Sequence, residues 1–232
     1  MGDRSRSAGR RALRGFCIAF PVLLVLWVFL VLYPNPLKLA VSLHRLVSPQ
    51  VDPGAAEALA SSLPPEPADI EKAVLEALPY HYDWEAYSMP WYYPTVSEAL
   101  EIGQGDCKAR AIVLASVLEA KGIPYRINSS PTHVWVDYAG KQENSAENPD
   151  VGLYQVDPDT GDRSWHFPRV DPVGSFRTFW RGFWPPMPVL RKVLLLLGPA
   201  VLVAVRVLWP RWQAARAGEA AATSADGLSD RR

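Results

Sequence analysis

The chain has 232 residues, enough for one ordinary domain with accessory segments, and its formal net charge is zero. The charge is unevenly distributed: residues 1–33 carry five arginines against one aspartate, residues 34–188 carry 12 basic against 20 acidic residues, and residues 189–232 carry seven basic against three acidic residues. An acidic middle argues against nucleic-acid binding by that region, and basic ends on either side of it are typical of a membrane topology.

The first predicted element is an apolar helix. No charged residue occurs from Gly15 to Leu37, a stretch of 23 residues, and about 20 apolar residues are enough to cross a bilayer. No small-x-small cleavage site follows at once, so an uncleaved anchor is favoured over a cleaved signal peptide. We therefore predict a basic cytoplasmic N-terminus at 1–15 and a transmembrane helix at 16–37.

A juxtamembrane region is predicted next, followed by a soluble domain. Segment 38–68, which ends in SSLPPEPAD, is interpreted as a short helix and a proline-rich linker. The domain at 69–180 opens with DIEKAVLEALP, an amphipathic helix with Asp69 as its cap and Pro79 as its stop. The aromatic stretch after it has no helical or strand period. We expect four of its rings to form core or cleft wall: Trp84, Trp91, Tyr92 and Tyr93.

Two further helices are predicted before any strand. TVSEALEIG is typical of a short helix with Thr95 or Ser97 near its start. The next helix has Asp106 as a good N-cap and ends at Gly122. Its apolar residues cover a broad surface, which predicts deep burial: Ile112, Val113, Ala115, Val117 and Leu118.

The strands follow this helix. IPYRI and THVWVDY are rich in β-forming residues and the second alternates in polarity, while VGLYQVD and DRSWHF come after a polar connection and a turn at PDTG. These patterns predict an α+β fold with a small antiparallel sheet. If THVWVDY and VGLYQVD pair with Tyr138 opposite Gly152, then His133 lies opposite Asp157, close enough for a hydrogen bond between their side chains.

A second apolar run lies near the C-terminus. Val193–Val205 has 13 residues, and the run reaches 17 if Arg206 extends toward the interface and the helix continues to Trp209. We predict a second transmembrane helix at 189–209, with an interfacial helix as the alternative. The final 18 residues are small and polar, so segment 210–232 is expected to be a disordered cytoplasmic tail. Two spans would place the central domain outside the cytoplasm.

One of the two cysteines is a candidate nucleophile. Cys17 lies inside the first apolar segment and cannot easily bridge to Cys107, so the soluble domain carries one unpaired thiol. At the start of a helix the free backbone N–H groups and the helix dipole favour a thiolate, and they can also bind the oxyanion formed when it attacks an amide. A base is needed as well, and His133 begins a strand 26 residues later.

Three stretches together, GQGDCKARAIVLASVLEAKGIPYRI, HVWVDY and YQVDP, resemble the transglutaminase-like core of the papain-like thiol superfamily, in its bacterial membrane-anchored type. In that family a Gly-x-Cys motif opens the buried helix, a His-x-Trp motif opens a strand, and an Asp-Pro motif ends the next strand. The resemblance covers residues 96–157 and implies that Cys107 is the nucleophile, His133 the general base and Asp157 the orienting acid. It implies a transglutaminase-like core, here flanked by two transmembrane helices.

One feature departs from the family pattern. The polar connection GKQENSAEN is longer than in the simplest members, which leaves Asn144 or Glu147 as possible substitutes for Asp157. Donors near the cysteine complete the oxyanion site in the family, and Gln104 or Trp91 could serve here.

The resemblance implies an enzyme that cleaves or transfers amide bonds through an acyl-thioenzyme, and the expected topology makes cell-envelope peptides or proteins plausible substrates. The alternative is a non-catalytic binding or scaffold module with the same fold at the membrane. The chain has no CxxC motif and no metal-ligand spacing, so we expect neither a cofactor nor a metal. The expected partners are a peptide or protein substrate and the membrane, without nucleic acid, and the oligomeric state is left open.

Overall fold

The computed structural model of the chain describes residues 20–142, 147, 152–156, 160, 162–165 and 171–229. The chain divides into two compact units, one formed by Asn35–Pro188 and the other by Met1–Pro34 together with Val189–Arg232. The larger unit is an α+β domain with a small four-stranded antiparallel sheet. The smaller unit contains two helices in its described residues.

The elements follow one another in this order. The first seven helices are α1, described over Phe20–Leu32, α2 (Pro36–Val47), α3 (Pro53–Ser62), α4 (Pro67–Ala77), α5 (Asp83–Ala86), α6 (Val96–Ile102) and α7 (Cys107–Ala120). The strands and last helices are β1 (Tyr125–Ser129), β2 (Val134–Tyr138), β3 (Tyr154–Val156), β4 (Arg163–Trp165), α8 (Pro172–Phe183) and α9 (Val189–Ser229).

Segment 38–68 is part of the domain. A short helix is present at its start, as predicted, in α2, but the rest of the segment is not a linker. Pro67, one of the prolines that suggested the linker, opens α4, and Pro53 opens α3. Proline suits the first turn of a helix, where its missing N–H has no partner to lose. On α3, Ala56 and Ala60 are buried in the hydrophobic core. The compact unit therefore begins well before residue 69.

Local capping signals give the boundaries of α4 and α6. The α4 helix starts at Pro67, so Asp69 lies in its first turn and does not cap it, while the predicted end before Pro79 is confirmed. The α6 helix begins after Thr95, whose hydroxyl accepts a hydrogen bond from Glu98 N at 3.2 Å while the Glu98 carboxylate accepts from Thr95 N at 2.8 Å. This reciprocal pair is a capping box, which satisfies two otherwise unpaired backbone donors.

The α7 helix is the centre of the domain. It packs against the helices α3, α4 and α6 and against the strands β1 and β2 of the sheet. Its predicted deep burial is confirmed, because ten of its 14 residues are buried. The helix ends at Ala120, and Gly122 follows with a φ of +67°, a conformation that favours glycine.

The sheet has the order β2–β1–β3–β4. Because β1 lies between β2 and β3, the predicted direct pairing of THVWVDY with VGLYQVD is wrong. Ile127 of β1 is opposite both Val136 and Val156, so the end of β3 is level with the middle of β2 and not with His133. Four residues join β1 to β2, which favours a hairpin between them, and the other edge of β1 is then open to β3.

The smaller unit contains one candidate membrane helix among the described residues. Within α9, the stretch Val189–Arg216 is long and apolar enough to cross a membrane. The described part of α1 is too short to pass this test unless it is joined with Pro36–Val47. The prediction of disorder in 210–232 differs from the structure, in which α9 continues through Ser229. Alanine is frequent there and has the highest helix propensity, which accounts for the continuation.

The two helices of the smaller unit contact each other at Gly198. A Cβ atom at this position would lie 1.9 Å from Trp27 Nε1, so only glycine allows this approach. The same indole nitrogen donates a hydrogen bond to the Leu194 carbonyl at 2.9 Å. The Arg191 guanidinium donates a hydrogen bond to the Val31 carbonyl. Residues 1–19, which include Cys17 and the basic N-terminus, lie outside the described residues.

Candidate active site

Cys107 occupies the first position of α7. Its neighbour Asp106 is the N-cap, as predicted, and accepts a hydrogen bond from Lys108 N at 2.9 Å. The preceding loop is held by two backbone hydrogen bonds, from Gly105 N to the Pro79 carbonyl at 3.1 Å and from His81 N to the Gly105 carbonyl at 3.0 Å. The Cys107 thiol is therefore held, partly exposed, at the positive end of a buried helix.

His133 directly precedes β2, and a short turn fixes its backbone. Ser130 N donates to the His133 carbonyl at 2.7 Å, and His133 N donates to Ser130 Oγ at 3.1 Å. The imidazole stacks on the Trp135 ring, with centroids 5.9 Å apart and planes 11° apart. Residues two positions apart in a strand lie on the same side of it, and the stacking of His133 on Trp135 agrees with that alternation. In this position the imidazole lines the same two cavities as Cys107, and its interaction with Cys107 contributes to its pKa.

Glu147 provides the acid that faces His133. Its Oε1 atom lies 2.9 Å from His133 Nε2, which leaves Nδ1 as the nitrogen available to the thiol. The second carboxylate oxygen lies 3.1 Å from Lys141 Nζ. Lys141 also contacts Glu71 Oε1 at 2.9 Å and donates to the Val136 carbonyl at 2.7 Å. Glu147 is thus held from two sides, by the imidazole and by an anchored ammonium group.

The surroundings of His133 and Glu147 shift the pKa of both side chains. Burial by itself lowers the pKa of His133, but its interactions with Cys107 and Glu147 outweigh burial and raise the pKa to about 9. For Glu147, the hydrogen bond from His133 is the largest effect and, with the charge of Lys141, lowers the pKa to about 2 despite partial burial. The pair therefore favours a protonated imidazole beside a carboxylate at neutral pH.

The other two candidates for the third residue cannot be placed. Asp157, implied by the family resemblance, and Asn144, one of its two possible substitutes, both lie outside the described residues. Glu147 was the remaining substitute, and the structure brings it to the imidazole. The geometric argument for Asp157 depended on β2 pairing with β3, and β1 separates those strands.

A buried ionic cluster lies beside the cysteine, and the sequence analysis did not find it. Lys108 Nζ lies 2.8 Å from Asp83 Oδ2 and also contacts the Asp106 carboxylate. All three side chains are buried, and Asp83 accepts a further hydrogen bond from Tyr92 N at 2.8 Å. Burial lowers the pKa of Lys108, but the two carboxylates outweigh it and raise the pKa above its ordinary value. Lys108 therefore remains charged inside the domain.

Two cavities meet at the Cys107–His133 pair. The larger, of about 560 Å³, is lined by charged residues that include Arg110 and Lys141. The smaller, of about 370 Å³, is lined by aromatic rings that include Trp91. Cys107 and His133 line both cavities, so the reactive atoms face a continuous recess. A cleft of this kind can hold an extended chain across the reactive atoms.

Tyr80 lines both cavities and was not singled out in the sequence. It forms a parallel bridge with Gly105, and the Arg110 guanidinium lies 5.2 Å from its ring centroid. Burial raises the pKa of its hydroxyl above the ordinary value, so it stays protonated. Its position shortly after the end of α4 does not by itself indicate a functional site.

The residues predicted to line the cleft or to bind the oxyanion differ in their distance from the cavities. Trp84, Tyr92 and Tyr93 are buried, whereas Trp91 lines the smaller cavity beside Cys107. Gln104 is half-buried and lines neither cavity in the described part of the chain. Trp91 is therefore the better placed of the two proposed oxyanion donors. Among the described residues, no group of three His, Cys, Asp or Glu side chains could hold a metal ion.

Comparison with known proteins assigns no family to this chain. No known family model matches the sequence, and no curated protein matches it. The motif resemblance therefore rests on the residues themselves.

Proposed function

We propose that this protein is a membrane-anchored cysteine enzyme of the transglutaminase-like type, which cleaves or transfers amide bonds through an acyl-thioenzyme. The observation that carries the proposal is that Cys107, at the start of a buried helix, lines the same two cavities as His133, whose Nε2 atom lies 2.9 Å from the Glu147 carboxylate. A nucleophile, a base and an orienting acid gathered at one site form the arrangement that thiol hydrolases and transamidases need. Glu147 takes the third role in place of Asp157.

The protonation states support a specific first step. An imidazolium hydrogen-bonded to sulfur stabilises a thiolate, and the pKa of His133, about 9, keeps the ring protonated at neutral pH. The thiolate attacks the carbonyl carbon of an amide, and the resulting oxyanion is stabilised at the helix start. The C–N bond then breaks as the imidazolium gives its proton to the leaving amine, which leaves a thioester on Cys107.

The second step regenerates the Cys107 thiolate and the His133 imidazolium. The now neutral imidazole takes a proton from water or from an acceptor amine, whose oxygen or nitrogen attacks the thioester carbonyl. The acyl group leaves as an acid or as a new amide, while the thiolate and the imidazolium are restored. Glu147 keeps Nε2 paired through both steps, so the ring does not rotate away from sulfur.

The location we propose is the cell membrane, with two helices spanning it and the domain outside the cytoplasm. The candidate membrane helix in α9 and the apolar segment 16–37 would be the spans. Both termini are basic and the middle is acidic, which favours cytoplasmic termini under the positive-inside tendency. Peptides or proteins of the cell envelope would then be the substrates.

The decisive experiment measures the rate of iodoacetamide alkylation of Cys107 against pH, in a Cys17→Ser background so that one thiol reacts. We expect rapid alkylation well below pH 8.5, the pKa of a free thiol, and a large loss of that rate in His133→Ala. Cys107→Ala should abolish labelling and any acyl adduct. Slow alkylation at the same rate with and without the His133→Ala substitution would overturn the proposal.

A matched histidine provides the control. His81 also has an acidic neighbour, with His81 Nδ1 3.4 Å from Glu85 Oε2, but both side chains are exposed. His81 holds the cysteine loop through its backbone, which substitution of the side chain leaves in place. His81→Ala should therefore leave the alkylation profile unchanged.

A second candidate function is supported by the aromatic lining of the smaller cavity. A non-catalytic module could bind an apolar segment of a membrane-associated protein between Trp91, Phe179 and Phe183. Such a module would show an ordinary thiol profile, and Cys107→Ser would leave binding intact. The alkylation experiment therefore separates the two functions.

A further inference from the structure

The α8 helix presents an aromatic face that the rest of the domain leaves exposed. Val173, Phe176 and Trp180 recur at spacings of three and four, and they are 65%, 64% and 46% exposed. Apolar side chains of this size are rarely left in water as a contiguous group unless something covers them. We call these three residues the α8 aromatic face.

The last turn of α8 contacts the domain. A Cβ atom at Gly182 would lie 3.2 Å from the Tyr82 ring, which means that the helix backbone there rests directly on that ring. Phe183 meets Trp84 with ring centroids 6.3 Å apart. The contacts attach the C-terminal end of the helix, while no residue of α8 is buried.

The chemistry of the face suits a lipid–water interface. Its rings are pre-stacked, since Phe176 and Trp180 have centroids 6.3 Å apart and Trp180 and Trp184 have centroids 5.7 Å apart. Two exposed arginines, Arg177 and Arg181, lie on the same helix. Tryptophan, phenylalanine and arginine on one amphipathic helix are the composition of helices that lie in the plane of a membrane surface.

The position of α8 in the chain identifies the bilayer as its occupant. Only five residues separate the end of α8 from Val189, where the candidate membrane helix begins. The chain therefore enters the proposed membrane span almost directly after α8. The other connection to the smaller unit repeats the pattern, because α2 follows α1 closely and leaves Leu37 and Leu43 exposed by 71% and 52%.

We propose that α8 lies in the membrane interface, with its aromatic face among the lipid chains and Arg177 and Arg181 against anionic headgroups. This inference rests on the membrane anchoring in the proposed function, but not on catalysis. Phe179 and Phe183 of the same helix line the smaller cavity beside Cys107. That end of the cleft therefore opens at the membrane surface, where it can receive membrane-attached chains.

The test uses the full chain in nanodiscs of phosphatidylcholine and phosphatidylglycerol. In a Cys17→Ser, Cys107→Ser background, a single cysteine carrying an environment-sensitive fluorophore is introduced by Phe176→Cys. We expect doxyl-labelled lipid to quench the fluorophore at position 176. The control carries the fluorophore at Glu101→Cys, an exposed position on α6. Aqueous iodide should quench the fluorophore at 176 several-fold less than the fluorophore at 101.

A third position separates this inference from membrane anchoring itself. Leu196→Cys places the fluorophore on the exposed apolar surface of α9. Lipid quenching at 196 with free iodide access at 176 would overturn the interfacial role of α8 and leave the anchoring intact. Protection from both quenchers at 176 would mean that a protein or a second copy covers the face, which also overturns it. No lipid quenching at 196 would overturn the anchoring and this inference together.

Discussion

Glu147 Oε1 lies 2.9 Å from His133 Nε2, although Glu147 belongs to the polar connection after β2 and not to a neighbouring strand. The carboxylate that faces the imidazole thus comes from a residue 14 positions after the histidine. Lys141 holds the same carboxylate at 3.1 Å, so Glu147 has a cationic partner on each of its two oxygens when His133 is protonated.

The first prediction concerns the protonation of His133. Glu147→Gln should lower the pKa of His133 from about 9 toward its ordinary value of 6.5, because it removes a charge and weakens the hydrogen bond to Nε2. NMR titration of the four histidines of the chain measures this directly. Asp157→Asn is the control and should leave the His133 titration unchanged. A lower pKa of His133 in Asp157→Asn, together with an unchanged pKa in Glu147→Gln, would instead identify Asp157 as the orienting acid.

The second prediction concerns stability against pH. The folded pKa of His133, about 9, exceeds its ordinary 6.5, so its contribution is complete below pH 6.5 and lost as the pH rises through 9. The folded pKa of Glu147, about 2, is below its ordinary 4.5, so its contribution is complete above pH 4.5 and lost as the pH falls through 2. Urea unfolding of segment 35–188 should show the largest stabilisation by this pair between pH 4.5 and 6.5. Equal differences between wild type and Glu147→Gln at all pH values would contradict this.

The third prediction concerns the buried ionic cluster. Lys108→Met should lower the free energy of unfolding by about 3–5 kcal/mol, because it leaves Asp83 and Asp106 buried without their counter-ion. Adding Asp83→Asn should recover part of that loss, since it removes one uncompensated charge. The measurement is denaturant unfolding of the single and double variants. Additive losses in the double variant would mean that the two side chains do not act as one unit.

The fourth prediction concerns the loop before the cysteine. A Cβ atom at Gly105 would lie 2.4 Å from Ala109 Cβ, which is part of α7 and cannot rotate away. Gly105→Ala should therefore cost about 1–3 kcal/mol of stability through overpacking and slow the alkylation of Cys107. Gly54→Ala is the matched control, because its nearest neighbour lies 3.4 Å away and alanine favours a helix. The measurements are thermal unfolding and the rate of Cys107 alkylation in Gly105→Ala and in Gly54→Ala. Equal results for the two variants would contradict the prediction.

Several features of the fold could be predicted because their causes are local. Asp106 was identified as a cap because its side chain accepts from a backbone N–H two residues away, and Gly122 as a stop because it supplies a positive φ. Burial of α7 followed from apolar residues around its circumference. The approximate positions of the first three strands likewise followed from short runs of β-forming residues, although β1 begins and ends two residues later than the run IPYRI. Each of these signals lies within a few positions of the structure that it specifies.

Other features depended on contacts between distant parts of the chain. The prolines before α3 and α4 have the same sequence signature in a linker and at a helix start, and only packing on α7 distinguished the two. Lys108 could not be identified as a buried charge from the sequence, because its partner Asp83 belongs to another helix. The order of the sheet could not follow from strand patterns, because β1 can pair on either edge.

Local signals were therefore enough to predict the cysteine at a helix start, the histidine at a strand start, the α+β composition and the apolar ends. Periodicity, capping and charge depend on neighbouring residues, so the order of the amino acids specifies them. Three relationships became visible in the folded chain alone: Glu147 faces His133, β1 separates β2 from β3, and a buried lysine follows the cysteine. Those relationships join residues that are far apart in the chain, and the free energy of packing, not local preference, selects them.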